Sequence, residues 1–126
     1  MATALDLTSE ELRVYQLAAR RRQKQEQHEL VHRQQQAWEL ARRAAALLRE
    51  QFGATRVVVF GSLVHEGTFT RWSDVDVAAW GIRPLDTFRA IGAVMDLDPE
   101  VQVNLVDVAT CSPSLLTIIK REGMQL

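Results

Sequence analysis

Two aspartates separated by a single residue, Asp74 and Asp76, carry the clearest chemical signal in this sequence. They begin the apolar stretch DVDVAAW, which predicts a β-strand. Side chains at positions i and i+2 of a strand point to the same face, so the two carboxylates can converge on one point. Two like charges held that close are costly unless a cation lies between them, and Mg²⁺ is commonly bound by one or two carboxylates together with substrate phosphates. The pair therefore indicates metal-assisted chemistry on a nucleoside triphosphate.

A Gly-Ser dipeptide, Gly61-Ser62, directly follows another apolar run, RVVVF. Backbone N–H groups at such a turn, where a helix begins, can bind a triphosphate oxygen, and the Ser62 hydroxyl can donate a hydrogen bond to the phosphate. Each feature has a plainer explanation, since Asp-x-Asp can be a solvated strand edge and Gly-Ser an ordinary turn with a helix N-cap. Their occurrence together, with eleven residues between Ser62 and Asp74, is the rarer pattern.

The run VVVFGSLVHEGTFTRWSDVDVAAW, which starts at Val57, resembles the minimal nucleotidyltransferases, small members of the DNA polymerase beta-like superfamily. Their signature is G-S, about ten residues, then D-x-D; the extra residue here precedes Gly67, and a surface turn can absorb it. The resemblance implies one or two Mg²⁺ ions held by Asp74 and Asp76, with the nucleotide bound at Gly61, Ser62 and Ser73. It also implies transfer of a nucleoside monophosphate, with AMP expected, from ATP or another NTP to a hydroxyl acceptor, with release of pyrophosphate.

One position departs from the family pattern in a way that bears on catalysis. The family places a third carboxylate on the next strand, in a V-D-L-V context, whereas this sequence reads Val-Asn-Leu-Val with Asn104 at that position. An amide oxygen can still bind a cation, but it brings no negative charge and is a poor proton acceptor. Asp107 lies three residues further and faces the opposite side of a regular strand. Asn104 is therefore the third candidate catalytic residue, and its amide is expected to impair turnover.

The elements that must position these residues divide into two parts. Residues 1–52 contain no Gly or Pro, and Thr8 with Glu11 fits a capping box, which predicts a long N-terminal helix that runs to about Gln51. Apolar residues at helical spacing form two patches, separated by the wholly polar stretch Arg20 to Glu29. Either the helix breaks there, or it projects and packs on another chain; we favour projection. Residues 53–126 form the predicted nucleotidyltransferase domain.

Alternating elements follow in that domain, which predicts an α/β (α+β) fold: a small mixed β-sheet with helices packed against it. The predicted strands are Arg56–Phe60, Asp74–Trp80 and Val101–Val108. A short helix or turn is predicted at Ser62–His65, a helix from Pro84 to about Leu97, and a last helix capped by Ser112 and ended by Gly123.

Composition limits the classes of partner that the protein is expected to bind. The chain has 126 residues, net charge −1, 47% apolar residues and a single cysteine, Cys111, which suits a reducing cytoplasm. No apolar run is long enough to cross a bilayer, and no secretory signal begins the sequence, so we expect no membrane association. Residues 54–126 hold six Lys and Arg against nine Asp and Glu, unlike the basic surface of a nucleic-acid polymerase. A protein or small molecule is the expected acceptor.

Three interpretations of function remain open. The first is an Mg²⁺-dependent nucleotidyltransferase; minimal family members resemble antitoxins paired with HEPN toxins, and the partner would supply the acceptor hydroxyl. The second is a binding module of the same fold, weakened in catalysis by Asn104, that neutralises a partner by association or forms oligomers through its N-terminal helix. The third, a structural dimer subunit, leaves the Gly-Ser and Asp-x-Asp pattern unexplained. Near the site, His65 and Glu66 could border the nucleotide, and Trp72 could pack or stack on a base, with packing preferred.

Overall fold

The computed structural model describes residues 7–126, so the first six residues of the predicted N-terminal segment lie outside the described range. The elements are α1 (Ser9–Phe52), β1 (Arg56–Phe60), β2 (Val75–Trp80), α2 (Thr87–Met95), β3 (Val103–Asp107), α3 (Pro113–Glu122) and β4 (Met124–Gln125), with short 3₁₀ turns at Gly61–Leu63 and Pro84–Asp86. The predicted fold class is confirmed: a small mixed sheet flanked by helices and preceded by a long N-terminal helix.

The long helix begins at the predicted capping box. The Glu11 N–H donates to Thr8 Oγ1 at 3.1 Å, and the Thr8 N–H donates to Glu11 Oε2 at 3.4 Å, so two backbone donors at the helix start are satisfied. α1 then continues for 44 residues. A break within Arg20 to Glu29 was the wrong alternative, because polar side chains that are good helix formers interrupt the apolar pattern without interrupting the backbone.

Two compact units divide the chain, residues 1–32 and residues 33–126. The boundary between these two compact units falls inside α1. In the second unit, α1 contributes a buried stripe rich in alanine, whose small side chains permit close packing: Ala37, Leu40, Ala41, Ala44, Ala45, Leu48 and Phe52. The Arg89 guanidinium of α2 lies 5.8 Å from the ring centre of Phe52, the last residue of α1.

The sheet has the strand order β3-β2-β1-β4. β1 pairs antiparallel with both β2 and β4, while β2 pairs parallel with β3 through the crossover that contains α2. The sequence pattern did not predict β4, a two-residue exposed strand after the end of α3. The sequence pattern also started β2 one residue too early. It began β3 two residues too early and ended it one residue too late.

Alternation along the strands produces two faces. One face is apolar and wholly buried, with Val57, Val59, Val75, Val77, Ala79 and Val103. The other, here called the α3 face, carries Val58, Ala78 and Val106 and packs against Ile119 and Leu115 of α3. Asp76 and Asn104 lie on the α3 face, since they alternate with the buried valines. Within residues 7–126, no helix has both the length and the apolarity that a bilayer crossing requires.

Candidate functional site

The polar end of the α3 face gathers residues from three neighbouring strands. Asp74 directly precedes β2, and Asp76 lies two residues further on the same face. The register places Asp76 opposite Phe60, the last residue of β1, and opposite Asn104, the second residue of β3. The site therefore forms where β1 ends and where β2 and β3 begin. The structure brings together the Asp-x-Asp pair, the Gly-Ser turn and Asn104, as the sequence pattern predicts.

Asn104 contacts both aspartates through one nitrogen. Its Nδ2 donates to Asp76 Oδ1 at 3.2 Å and to Asp74 Oδ2 at 3.4 Å. Its Oδ1 accepts a hydrogen bond from Gln102 Nε2 at 2.8 Å. One amide group therefore supplies the donor hydrogens that lie closest to the paired negative charges.

The charge on Asp76 is costly where this residue lies. Burial raises the pKa of the Asp76 carboxyl above its ordinary value, and the neighbouring charge of Asp74 raises it further, while the hydrogen bond from Asn104 partly offsets both effects. Burial and the neighbouring charge each make the ionised form of Asp76 less favourable. A divalent cation would relieve both, because it replaces lost hydration and separates the two negative charges.

Gly61 touches the carboxylate of Asp76. Its φ is +80°, a conformation that glycine adopts without the steric cost of a side chain. A Cβ at position 61 would also lie 2.7 Å from Asp76 Oδ2, closer than a Cβ atom approaches its non-bonded neighbours. Glycine is needed here on both counts, and its lack of a side chain makes room for the Asp76 carboxylate beside the turn.

The two serines of the predicted nucleotide site differ in their hydrogen bonding. The carbonyl oxygen of Ser62 accepts from Thr68 Oγ1 at 2.8 Å, and its hydroxyl makes no hydrogen bond to any residue within 7–126. The Ser73 hydroxyl accepts from the Thr70 N–H at 2.9 Å and lies 3.2 Å from Thr70 Oγ1. Ser73 therefore closes the turn that leads into Asp74, whereas the Ser62 hydroxyl is available to a ligand.

A cleft of about 520 Å³ opens beside Asp74. It is lined by Arg33, Arg71, Trp72, Asp74, Met95, Asp96, Asp98, Pro99, Glu100 and Gln102. The packing role preferred for Trp72 was wrong, because its side chain is 78% exposed and carries the Arg71 guanidinium 4.8 Å from the ring centre. The turn around Thr70 and Ser73 holds this tryptophan at the surface, and a short polar segment offers it no core in which to pack.

Other residues near the site have structural partners. His65 Nε2 lies 3.2 Å from Glu122 Oε2 at the end of α3, and Glu66 is exposed. Asp107 faces away from the site, as predicted, and its Oδ2 accepts from Thr87 Oγ1 of α2 at 2.8 Å. Sequence reasoning missed Gln102. Its position two residues before Asn104 could have identified it, since strand alternation places both on one face.

The oxygen donors at the site fit Mg²⁺. Two carboxylates and one amide oxygen are ligands of the hard type that this ion prefers, with its remaining positions filled by water and phosphate. Within the described residues, no three His, Cys, Asp or Glu side chains come together as a metal cluster. Asp74, Asp76 and a reoriented Asn104 amide are therefore the group that this site offers to a cation.

Apolar side chains are exposed along the first unit of α1. Leu12, Val14, Tyr15 and Leu17, here called the α1 patch, are between 39% and 62% exposed. Val14 and Leu17 also line a shallow depression together with Ala18, Arg21 and Arg22. Leu12 and Tyr15 share one side of the helix and Val14 and Leu17 another, and exposed apolar side chains of this kind are typical of an association surface.

No family model matches the chain, and no curated protein is significantly similar to it. Among solved structures, it is similar to chains from crystals of two mutants of the toxin-antitoxin MntA-HpeT, one with two aspartate-to-glutamate substitutions and one with a tyrosine-to-alanine substitution. The identities are 21% and 24%, the TM-scores are 0.56 and 0.55, and the matches cover 68% of this chain and 70% and 69% of theirs. The likeness shows the fold: this chain has the nucleotidyltransferase fold, with a four-stranded mixed sheet flanked by helices.

Proposed function

We propose that this protein is a nucleotidyltransferase-fold antitoxin that transfers a nucleoside monophosphate, with AMP expected, from ATP or another NTP to a hydroxyl of a HEPN-type partner protein. One observation carries the proposal. Asp76 lies between Gly61 on the β1 side and Asn104 on the β3 side, with Asp74 hydrogen-bonded to the same amide. Support for an antitoxin role comes from the similar solved structures, which are those of a toxin-antitoxin pair.

In this proposal each residue of the site has a distinct task. Asp74 and Asp76 hold Mg²⁺, which when bound neutralises the triphosphate and the charge that develops on the transferred phosphoryl group. The Gly61 backbone and the free Ser62 hydroxyl seat the triphosphate. Asn104 orients the carboxylates. It cannot take up a proton, so the proton of the acceptor hydroxyl passes to Asp74, the carboxylate that borders the cleft.

The cleft beside Asp74 is the expected entrance for the acceptor. The Gly-Ser turn lies at the end of β1, on one side of β2, whereas the segment that leads into β3, with Glu100 and Gln102, lines the cleft on the other side. The attacking and leaving oxygens are roughly in line across the phosphorus in phosphoryl transfer, so they must approach from opposite sides. With the triphosphate at Gly61 and Ser62, the acceptor hydroxyl then attacks the α-phosphorus from the cleft, and pyrophosphate leaves on the β1 side.

A second candidate function rests on the α1 patch and on Asn104. A third site residue without charge weakens the expected metal affinity, and the exposed apolar side chains of α1 offer a surface for association. Under this hypothesis the protein neutralises its partner by binding alone. The same surface would serve a homo-oligomer.

Calorimetry with Mg²⁺ and a non-hydrolysable ATP analogue tests the proposed site. We expect metal-dependent binding in the wild type and its loss in the Asp74→Ala/Asp76→Ala double variant. Asp96→Ala is the matched control, because this carboxylate lines the same cleft but does not contact Asn104. Equal affinity of wild type and double variant would reject the assignment. Binding without transfer to any partner would favour the second candidate.

A further inference from the structure

Two side-chain amides and two carboxylates form a continuous chain of hydrogen bonds. Gln102 Nε2 donates to Asn104 Oδ1 at 2.8 Å, and Asn104 Nδ2 donates to Asp76 Oδ1 at 3.2 Å and Asp74 Oδ2 at 3.4 Å. The Gln102 carbonyl oxygen accepts from the Val75 N–H at 2.9 Å, which holds the backbone of Gln102 against β2. Gln102 is thus fixed beside the site although it precedes β3.

The direction of each amide follows from the inventory of donors and acceptors. Ionised carboxylates only accept, so Asn104 must turn its NH₂ group towards Asp74 and Asp76 and its oxygen away from them. That oxygen then needs a donor, and the NH₂ group of Gln102 supplies it. The orientation of one amide thereby determines the orientation of the other.

A divalent cation requires the opposite orientation of Asn104. Metal ligation uses the amide oxygen, while the NH₂ group presents hydrogens of the wrong polarity. When Asn104 turns its oxygen to the aspartates, its NH₂ group faces Gln102, which must then present an oxygen in place of its own NH₂. We propose that Gln102 is a positioning residue of the metal site, which by reversing its amide sets whether Asn104 offers hydrogens to the aspartates or an oxygen to the cation. The inference rests on the proposed function, because it presupposes a cation between Asp74 and Asp76.

Replacement of Gln102 by an acceptor-only side chain provides the test. In Gln102→Glu the carboxylate competes with Asp74 and Asp76 for the NH₂ group of Asn104, so less free energy is needed to turn the amide oxygen towards the metal position. Mn²⁺ alone is the probe, with affinity measured by the electron-spin signal of the free ion. Added negative charge attracts Mn²⁺ by itself, so the same change is also made in an Asn104→Leu background, which keeps the charge and removes the amide.

We expect the gain in Mn²⁺ affinity from Gln102→Glu to be about tenfold larger with Asn104 present than in the Asn104→Leu background, a typical coupling for hydrogen-bonded neighbours. An equal gain in both backgrounds would overturn the inference and leave the metal site intact. A wild type that binds no Mn²⁺, or binds it as tightly after Asp74→Asn, would instead overturn the proposed metal site, and the inference with it.

A second measurement does not depend on the folding of any Asn104 variant. Asn104 is the single asparagine of the chain, so selective ¹⁵N-asparagine labelling gives one side-chain NH₂ signal. Titration with Mg²⁺ should shift this signal strongly in the wild type, because its hydrogens leave the aspartates for Gln102. In Gln102→Glu the shift should be smaller, because Glu at position 102 already competes for the NH₂ group before the cation binds. Shifts of equal size in the two proteins would contradict the positioning role.

Discussion

Asp76 of β2 and Asn104 of β3 are direct register partners, and the Asn104 amide nitrogen lies 3.2 Å from Asp76 Oδ1. The register therefore places a neutral hydrogen-bond donor at the position where the sequence pattern of the minimal nucleotidyltransferases, which this sequence resembles, has a carboxylate. An amide in place of a carboxylate at position 104 is favourable when no cation is bound and unfavourable for binding a cation. The amide satisfies the aspartates when no cation is present, whereas a carboxylate would bind the cation more tightly.

The substitution Asn104→Asp should separate these two consequences. In the presence of EDTA it removes two hydrogen bonds and adds a third negative charge, so we expect a lower melting temperature. With Mg²⁺ the variant should regain stability. Nucleotidyl transfer should rise by about 10²-fold or more if the carboxylate acts as a general base. Thermal unfolding with EDTA and with Mg²⁺, alongside a transfer assay, measures both effects. A melting temperature unchanged in EDTA would show that the amide does not stabilise the aspartate pair.

Asp76→Asn should stabilise the protein in EDTA while it abolishes Mg²⁺ binding. The ionised carboxylate is partly buried beside Asp74, and its replacement by a neutral amide removes the cost of that charge at neutral pH. Because burial raises the folded-state pKa of Asp76, the native state binds the proton more readily than the unfolded chain does. The destabilisation is therefore present above the folded pKa and is lost as the pH falls through it.

The difference in unfolding free energy between Asp76→Asn and wild type should accordingly shrink as the pH is lowered from neutral to about pH 4. Guanidinium denaturation in EDTA at both pH values measures it. A difference that grows on acidification would mean that burial does not penalise the charge of Asp76.

Gly61→Ala should displace the Asp76 carboxylate. The new methyl group meets Asp76 Oδ2, and the left-handed backbone conformation adds a cost of about 1–2 kcal/mol. Gly67→Ala is a matched control, since Gly67 has a φ of +77° but no atom near its absent Cβ. Both variants should lose stability through backbone strain, Gly61→Ala more than Gly67→Ala because of its clash, and only Gly61→Ala should also lose Mg²⁺ affinity in calorimetry. Equal loss of metal binding in the two variants would show that backbone strain causes the loss, and not the clash between position 61 and Asp76.

Trp72→Ala should weaken binding of the acceptor protein without weakening binding of the nucleotide. The exposed indole lines the cleft but supports no core, so the melting temperature should change little. KM for the acceptor protein should rise, while affinity for the ATP analogue stays unchanged. Phe88→Ala is the control, an aromatic residue that is 86% exposed and does not line the cleft. An effect on nucleotide affinity alone would make Trp72 a base-stacking residue instead.

Charge placed in the α1 patch should disrupt association. We expect Val14→Glu/Leu17→Glu to lower the molar mass measured by light scattering or to abolish binding of the partner protein, because it introduces charges into an apolar contact. Leu85→Glu serves as control at an exposed leucine outside this helix segment. A double variant that is unchanged in both assays would exclude the patch as an interface.

Local signals predicted much of the fold. The capping box of Thr8 and Glu11 and the absence of Gly and Pro predicted α1, and apolar runs predicted three of the four strands found in residues 7–126. β4 could not be predicted, because two exposed residues carry no alternation and the strand exists only through pairing with Val58 and Val59. The orientation of the Asn104 amide also escaped prediction, since it depends on Gln102 and on two aspartates thirty and twenty-eight residues away.

The register of the sheet also protects the site from errors in folding. Asp76 alternates with Val75 and Val77, which are completely buried on the opposite face. A slip of β2 by one residue against its neighbours would turn a valine towards Asn104 and drive both aspartates into the apolar layer. Such a misfolded chain would be too unstable to persist, so the hydrophobic pattern that selects the core also ensures that every chain that folds presents its carboxylates correctly.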